Sequence, residues 1–152
     1  MYKRIMVPLD GSDLAQTALP HALELCRALS ATLVLLHVRD TRHGSTEAAR
    51  RFLDFTRRQH ANDGVTIETL VREGSVAEAI VRAAEYEKID VIAMATHGRS
   101  GLQRAVYGSV AEHVLRSSTT PVLLVRVPGS PVEQPDHSTQ RKPARDLPAE
   151  PL

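Results

Sequence analysis

The sequence predicts an α/β domain built on one open, five-stranded parallel sheet with helices on both faces. Three observations carry that reading. Five short apolar runs alternate with four helix-like stretches along the chain. Two of the runs, Thr32–Val38 (TLVLLHV) and Asp90–Ala95 (DVIAMA), are apolar almost without a break, as strands covered on both faces are. Each helix-like stretch is long enough to carry the chain back over the sheet, and such crossovers join parallel strands in the right-handed sense.

The elements follow in order. Arg4–Leu9 (RIMVPL) is an apolar strand closed by the turn residues Asp10-Gly11-Ser12. Apolar positions at helical spacing (Ala15, Ala18, Ala22, Leu25, Leu29) then predict one helix from Ser12 to about Leu29, capped by Ser12 and bent by Pro20. After the second strand, Ser45–His60 reads as a charged helix with Ala48, Phe52 and Phe55 on its inner side. Val65–Val71 alternates as a strand nearer an edge does. Ser75-Val76-Ala77-Glu78 has the spacing of a capping box and opens a helix to about Glu87. The fourth strand leads into a glycine-containing loop, Thr96–Tyr107. Gly108-Ser109 starts a helix to about Arg116, with Ser109 as a natural N-cap, and Pro121–Arg126 (PVLLVR) is the last strand.

Composition sets the outer limits. The chain has 152 residues and a formal net charge of +1, which offers no general attraction to nucleic acid or to an anionic membrane surface. Aromatic residues make up only 3%, with no Trp, so base-stacking platforms are not expected. A single cysteine, Cys26, rules out an intrachain disulfide and a cysteine-rich metal site, and is read as inert packing. No run approaches the ~20 apolar residues of a membrane span, and no leader-like run opens the sequence. A cytoplasmic protein is the expectation. Six of the nine prolines fall after Val127, in a stretch almost without large apolar side chains. Residues 1–127 are therefore read as the domain and 128–152 as a flexible tail.

Ligands of open parallel sheets bind beyond the carboxyl ends of the strands, where the strand order reverses. Two segments end there: Pro8-Leu9-Asp10-Gly11-Ser12, and Met94-Ala95-Thr96-His97-Gly98 followed by Arg99. Gly108-Ser109 at a helix start adds free amides for an anion, and Arg99 and Arg104 add charge. No G-x-x-x-x-G-K-[ST] is present, and Lys3, Lys88 and Lys142, the only lysines, lie away from the glycine loops. No G-x-G-x-x-G follows a strand, which argues against dinucleotide chemistry. His97, with Ser109 and Asp10, invites a catalytic-triad reading, but no nucleophile elbow supports one, and His97 is read as structural. His37, inside an apolar strand, is read as a satisfied core histidine. The pairs Arg50-Arg51 and Arg57-Arg58 read as a solvated helix face salt-bridged to Asp54.

From Lys3 to Arg126 the chain resembles the universal stress protein family. The resemblance rests on the Val-Pro-x-Asp-Gly-Ser turn at Val7–Ser12, the Ala-Leu-Pro helix, the LLHV ending at Val38 and the segment Met94–Arg126. That segment carries the family's G-x2-G-x9-G-[S/T] pattern as Ala95, Gly98 and Gly108-Ser109, with alanine in place of the first glycine. The resemblance implies a Rossmann-like sheet in the order 3-2-1-4-5 and an adenine nucleotide, ATP, as ligand. It implies that Pro8 and Asp10 flank adenine and ribose and that Val38 holds the adenine edge. Met94, Ala95, Gly98 and Arg99 would line ribose and phosphates, and Gly108, Ser109 and Val110 would meet the phosphate tail. Asp10 is the one candidate contact for magnesium. It also implies a homodimer paired through the edge strand Pro121–Arg126.

The function these features imply is a nucleotide-binding sensor or adaptor of the stress response. Ala95 motivates a second reading, an interaction module that keeps the fold without the nucleotide. Slow ATP hydrolysis is a third, weakened by the lack of a general base or metal carboxylate pair.

Overall fold

The computed structural model describes residues 1–42, 44–98 and 108–128. The strands β1 (Arg4–Pro8), β2 (Thr32–Arg39), β3 (Ile67–Glu73), β4 (Val91–Gly98) and β5 (Val122–Pro128) form one parallel sheet. Its order is β3-β2-β1-β4-β5, as the resemblance implies. The helices are α1 (Asp13–Gln16), α2 (Ala18–Leu29), α3 (Thr46–Gln59), α4 (Val76–Tyr86) and α5 (Ser109–Ser117). The proline-rich stretch past Pro128 and the loop residues Arg99, Gly101 and Arg104 lie outside the described residues.

The strand alternation sorts the core into two layers. Ile5, Val7, Leu33, Leu35 and Ala93 face α2 and α3, through Ala18, Leu19, Ala22, Leu23, Cys26 and Leu53. Met6, Val34, Leu36, Ile92 and Met94 face α4 and α5, through Ala77, Ile80, Ala83, Ala84, Ala111 and Val114. Because β1, β2 and β4 are covered on both sides, their sequences carry almost no polar positions. Cys26 is buried among aliphatic side chains, and burial pushes its thiol up to about 11, so it stays protonated at neutral pH.

Four local expectations are corrected. The single helix after β1 is two helices. The ring of Pro20 crowds the carbonyl four residues back, that of Gln16, and the chain breaks at Thr17. Pro20 then sits in the first turn of α2, where a missing N–H costs nothing. The capping box at Ser75 is not made: Ser75 caps α4 with its backbone but its hydroxyl accepts no bond there. Ser109 is the first helical residue of α5, and Gly108 is the N-cap.

The inner face of α3 is the fourth correction. Its buried residues are Ala49, Leu53 and Thr56, one position on from the expected Ala48, Phe52 and Phe55. Leu53 completes the layer against β2, Thr56 donates its hydroxyl to Phe52 O at 3.1 Å, and Phe55 is left 61% exposed. Phe52 stays half-buried, edge-on to the His37 ring at 5.7 Å between centroids. The outer face is charged as expected, with Arg57 3.1 Å from Asp54. Leu53→Ala should therefore cost about 2–5 kcal/mol of unfolding free energy in urea titration, against about 0.5 or less for Phe55→Ala.

Candidate functional site

Proline at position 8 decides where the sheet opens. Lys3 O accepts from Thr32 N at 2.8 Å and Leu9 N donates to Leu36 O at 2.7 Å, so the odd residues of β1 turn their peptide groups to β2. The even ones face β4, as the 2.9 Å bond from Asp90 N to Arg4 O shows. Pro8 falls on the β4 side and has no N–H to give. The β1–β4 register accordingly holds only Ile5↔Val91 and Met6↔Ile92, while β1–β2 pairing runs through Pro8↔Leu36.

Beyond the last β1–β4 pair lies a cavity of about 460 Å³. Its rim is made by Pro8, Leu9 and Asp10 after β1, by Met94, Ala95 and Thr96 at the end of β4, and by Gly108–Ala111 at the start of α5. Leu36 and Val38 of β2, Leu14 and Ala15 of α1, and Val76 and Ile80 of α4 close the sides. The size suits a small organic ligand, and the lining pairs an apolar body with a few polar groups.

The turn after β1 is held from two sides. The Leu9 carbonyl, which can only accept, lies 2.8 Å from His37 Nδ1, so that nitrogen carries the hydrogen and donates. His37 is thus a satisfied strand histidine that anchors the β1 end. Asp10 accepts from Ser12 N at 2.8 Å and from Ser12 Oγ at 2.6 Å, and Ser12 Oγ in turn accepts from Ala15 N at 3.2 Å. Gly11 takes φ +87° between them, a conformation that disfavours a side chain. Partial burial pushes the Asp10 carboxyl upward, but the bonds from Ser12, with the nearby His37, outweigh it and hold the carboxyl below its ordinary value. Asp10 is ionised and fixed at neutral pH.

At the opposite wall Gly108 has φ −52° and ψ 151°, so its role is not a left-handed turn. A Cβ built on it meets nothing within 4 Å. The amides that open α5 have no intrahelical acceptor and carry the positive end of the helix dipole. Glu112 N is the first to close the ladder, onto Gly108 O at 3.0 Å. An anion beside Gly108–Val110 would meet those amides and the Ser109 hydroxyl.

The sequence-predicted residues Pro8, Asp10, Val38, Met94, Ala95, Gly108, Ser109 and Val110 all line this one cavity. Gly98 ends β4 opposite Pro128, and Arg99 lies outside the described residues. Sequence reasoning missed the apolar walls from α1 and α4 (Leu14, Ala15, Val76, Ile80), whose spacing is that of any core-facing helix. It missed Thr96 as well, which continues the strand instead of opening the loop.

Comparison with known proteins places this geometry. The family model "Universal stress protein family" matches residues 1–126. The chain belongs to the universal stress protein family. It is 34% identical to Universal stress protein MJ0531 of Methanocaldococcus jannaschii over 143 residues, covering 84% of each chain. It also resembles the solved structure of MJ0577, from the same organism, with TM-score 0.73 and 31% identity over 86% of this chain and 99% of that one. A universal stress protein solved in complex with cAMP aligns with TM-score 0.68 and 26% identity, over 82% of this chain and 97% of its own. The family's five-stranded sheet and its order are those seen here. In this family member the Asp10–Ser12 pair generates a direct test. Ser12→Ala removes the hydroxyl donor, so the Asp10 carboxyl should titrate at higher pH than in the parent, measured by carbon-detected NMR of the carboxylate.

Proposed function

We propose that this universal stress protein binds an adenine nucleotide, ATP foremost, in the cavity between β1, β4 and α5, and signals its bound state to other proteins instead of turning it over. The observation that carries the reading is the convergence on one cavity of an apolar body and, at one end, the unpaired amides of α5 with Gly108 and Ser109. That end suits phosphate, and the apolar body suits a purine. The relative solved with cAMP supports an adenine nucleotide as the ligand class.

In this assignment Pro8 and Asp10 flank base and ribose, and Val38 holds the adenine edge from β2. Met94, Ala95 and Gly98 border the sugar and first phosphates, and Gly108, Ser109 and Val110 receive the phosphate tail; Arg99, which the resemblance adds, lies outside the described residues. Among the described residues no three His, Cys, Asp or Glu side chains gather as a metal site. Magnesium would therefore arrive on the phosphates, with ionised Asp10 as its one carboxylate contact.

Gly108→Val tests the site. The backbone at Gly108 is open to any L-residue and its Cβ direction is free, so the variant should fold, losing about 1 kcal/mol or less for the poorer N-cap. A branched side chain there would fill the phosphate end. Isothermal titration should show ATP binding by the parent and at least a tenfold loss in the variant. A parent protein that gives no heat at millimolar ATP would favour the reading of an interaction module without nucleotide.

The same proposal includes a homodimer through β5. This strand is a sheet edge, and Val122, Leu123, Leu124 and Val125 are half-buried in the single chain. Ile92 N bonds Pro121 O at 2.9 Å, so odd residues of β5 face β4 and even ones present free peptide groups outward. An antiparallel partner would pair there about a two-fold axis, which closes at two chains. Proline at Leu123 would strike the β4 ladder, whereas Arg126→Pro removes an outward donor at an exposed position. Light scattering at micromolar concentration should give twice the chain mass for the parent and a lower mass for Arg126→Pro; a parent at one chain mass refutes the pairing.

A further inference from the structure

Thr96 is out of place as scaffold. It lies at the end of β4, two residues beyond Met94 and four beyond Ile92, and the strand alternation puts it on their face of the sheet, toward α4 and α5. It is 3% exposed and lines the cavity whose wall also includes the first turn of α5. Its hydroxyl has no hydrogen-bond partner. Among the described residues the other buried side-chain atoms in that condition are Nε of Arg4 and Nε of Arg39, and both guanidinium tips are ion-paired, to Glu68 and Glu73. Thr96 is thus the one side chain of the three with no polar partner at all.

A buried hydroxyl without a protein partner costs free energy, and valine has the same shape and strand preference without that cost. Met94, Val110 and Ala111 line the same cavity and pack in one apolar cluster, so an apolar residue would suit the unliganded wall better. The group that would satisfy the hydroxyl is one that enters the cavity. Rotation about χ1 exchanges the threonine hydroxyl and methyl, so the oxygen can turn to a ligand without moving the backbone. An anionic group drawn to the amides that open α5, in the same cavity, would supply such an acceptor.

We infer that Thr96 is a ligand-recognising residue of this cavity, whose hydroxyl donates to a phosphate oxygen of the bound nucleotide. The inference rests on the nucleotide reading above and adds to it a contact from β4 that pairs with the amides of α5 across the same phosphate. Thr96 would then discriminate phosphorylated from unphosphorylated adenine ligands.

The test compares the parent, Thr96→Val and Thr96→Ser with adenosine, AMP and ATP by isothermal titration, alongside thermal melts without ligand. The expected result has several parts. Thr96→Val melts at or above the parent temperature, since no bond is lost in the unliganded chain. Its AMP and ATP affinities fall about 10- to 100-fold, the range for a hydrogen bond to a charged acceptor. Its adenosine affinity is unchanged, and Thr96→Ser retains the parent's AMP and ATP affinities. Parent-like AMP and ATP affinity in Thr96→Val would overturn the assignment and leave threonine as a strand filler. An equal loss with adenosine would overturn it by moving the hydroxyl's partner to the nucleoside. A parent that binds none of the three ligands would instead overturn the nucleotide reading itself, and Thr96's role with it.

Discussion

The ladder between β1 and β4 ends at Met6↔Ile92, and the site follows from that ending. A parallel sheet holds its strands together by peptide bonds on both sides of each strand. Where one side loses its donor, as β1 does at Pro8, the neighbours can part while the other side stays closed. Here the closed side is β2, which pairs with β1 through Leu36 and takes the Leu9 amide as well. The result is an opening between two central strands, floored by β2 and roofed by helices. A switch point in the strand order only permits such a crevice; the proline sets its depth.

The chemistry of the cavity is unequal at its two ends. Toward β2 and α4 it is apolar, with Leu36, Val38, Val76 and Ile80. Toward α5 it offers amides and hydroxyls, and the carboxylate among the described lining residues, Asp10, stands on the β1 side, held ionised by Ser12. No lysine or arginine is among the lining residues described. Backbone amides are fixed donors that lose no side-chain entropy on binding, and in a partly buried site their dipoles are weakly screened. A ligand with an apolar ring and an anionic tail therefore finds its two halves matched by position, without a cationic clamp among those residues.

Burial also explains which parts of the surface matter. The ion pairs Arg4–Glu68 and Arg72–Glu87 lie at 2.8 and 2.6 Å, and Glu87 also comes within 4.0 Å of Arg4 at the amino end of β1. Asp90 there accepts from the amides of Lys3 and Arg4 and ties the first strand to the start of the fourth. Bonds to those amides, against a smaller opposing effect of burial, hold its carboxyl below the ordinary value. Its contribution is present above the unfolded-state carboxylate range and is lost as pH falls through the lower native value. One end of the sheet is thus latched by charge, and the other is left open for binding.

The sequence by itself determined the fold class, the five strands, the crossover order of helices and the segments that meet at the site. Its signals for these are local: doubly covered strands such as Thr32–Val38 admit almost no polar residue, and turn residues such as Asp10-Gly11-Ser12 act within a few positions. Helix rotation was beyond it. Leu53 falls in one series at helical spacing (Ala49, Leu53, Thr56) and Phe55 in another (Ala48, Phe52, Phe55), and only packing against β2 decides that Leu53 goes in and Phe55 stays out. The break at Thr17 and the cap at Gly108 were shifted for a similar reason, because a helix end is set by backbone direction as well as by residue type. Thr96 was legible only in three dimensions. In the sequence it is a threonine between strand and loop; that its hydroxyl is buried without a partner depends on β5 pairing beside it and on its place in the cavity wall, and no spacing along the chain carries that information.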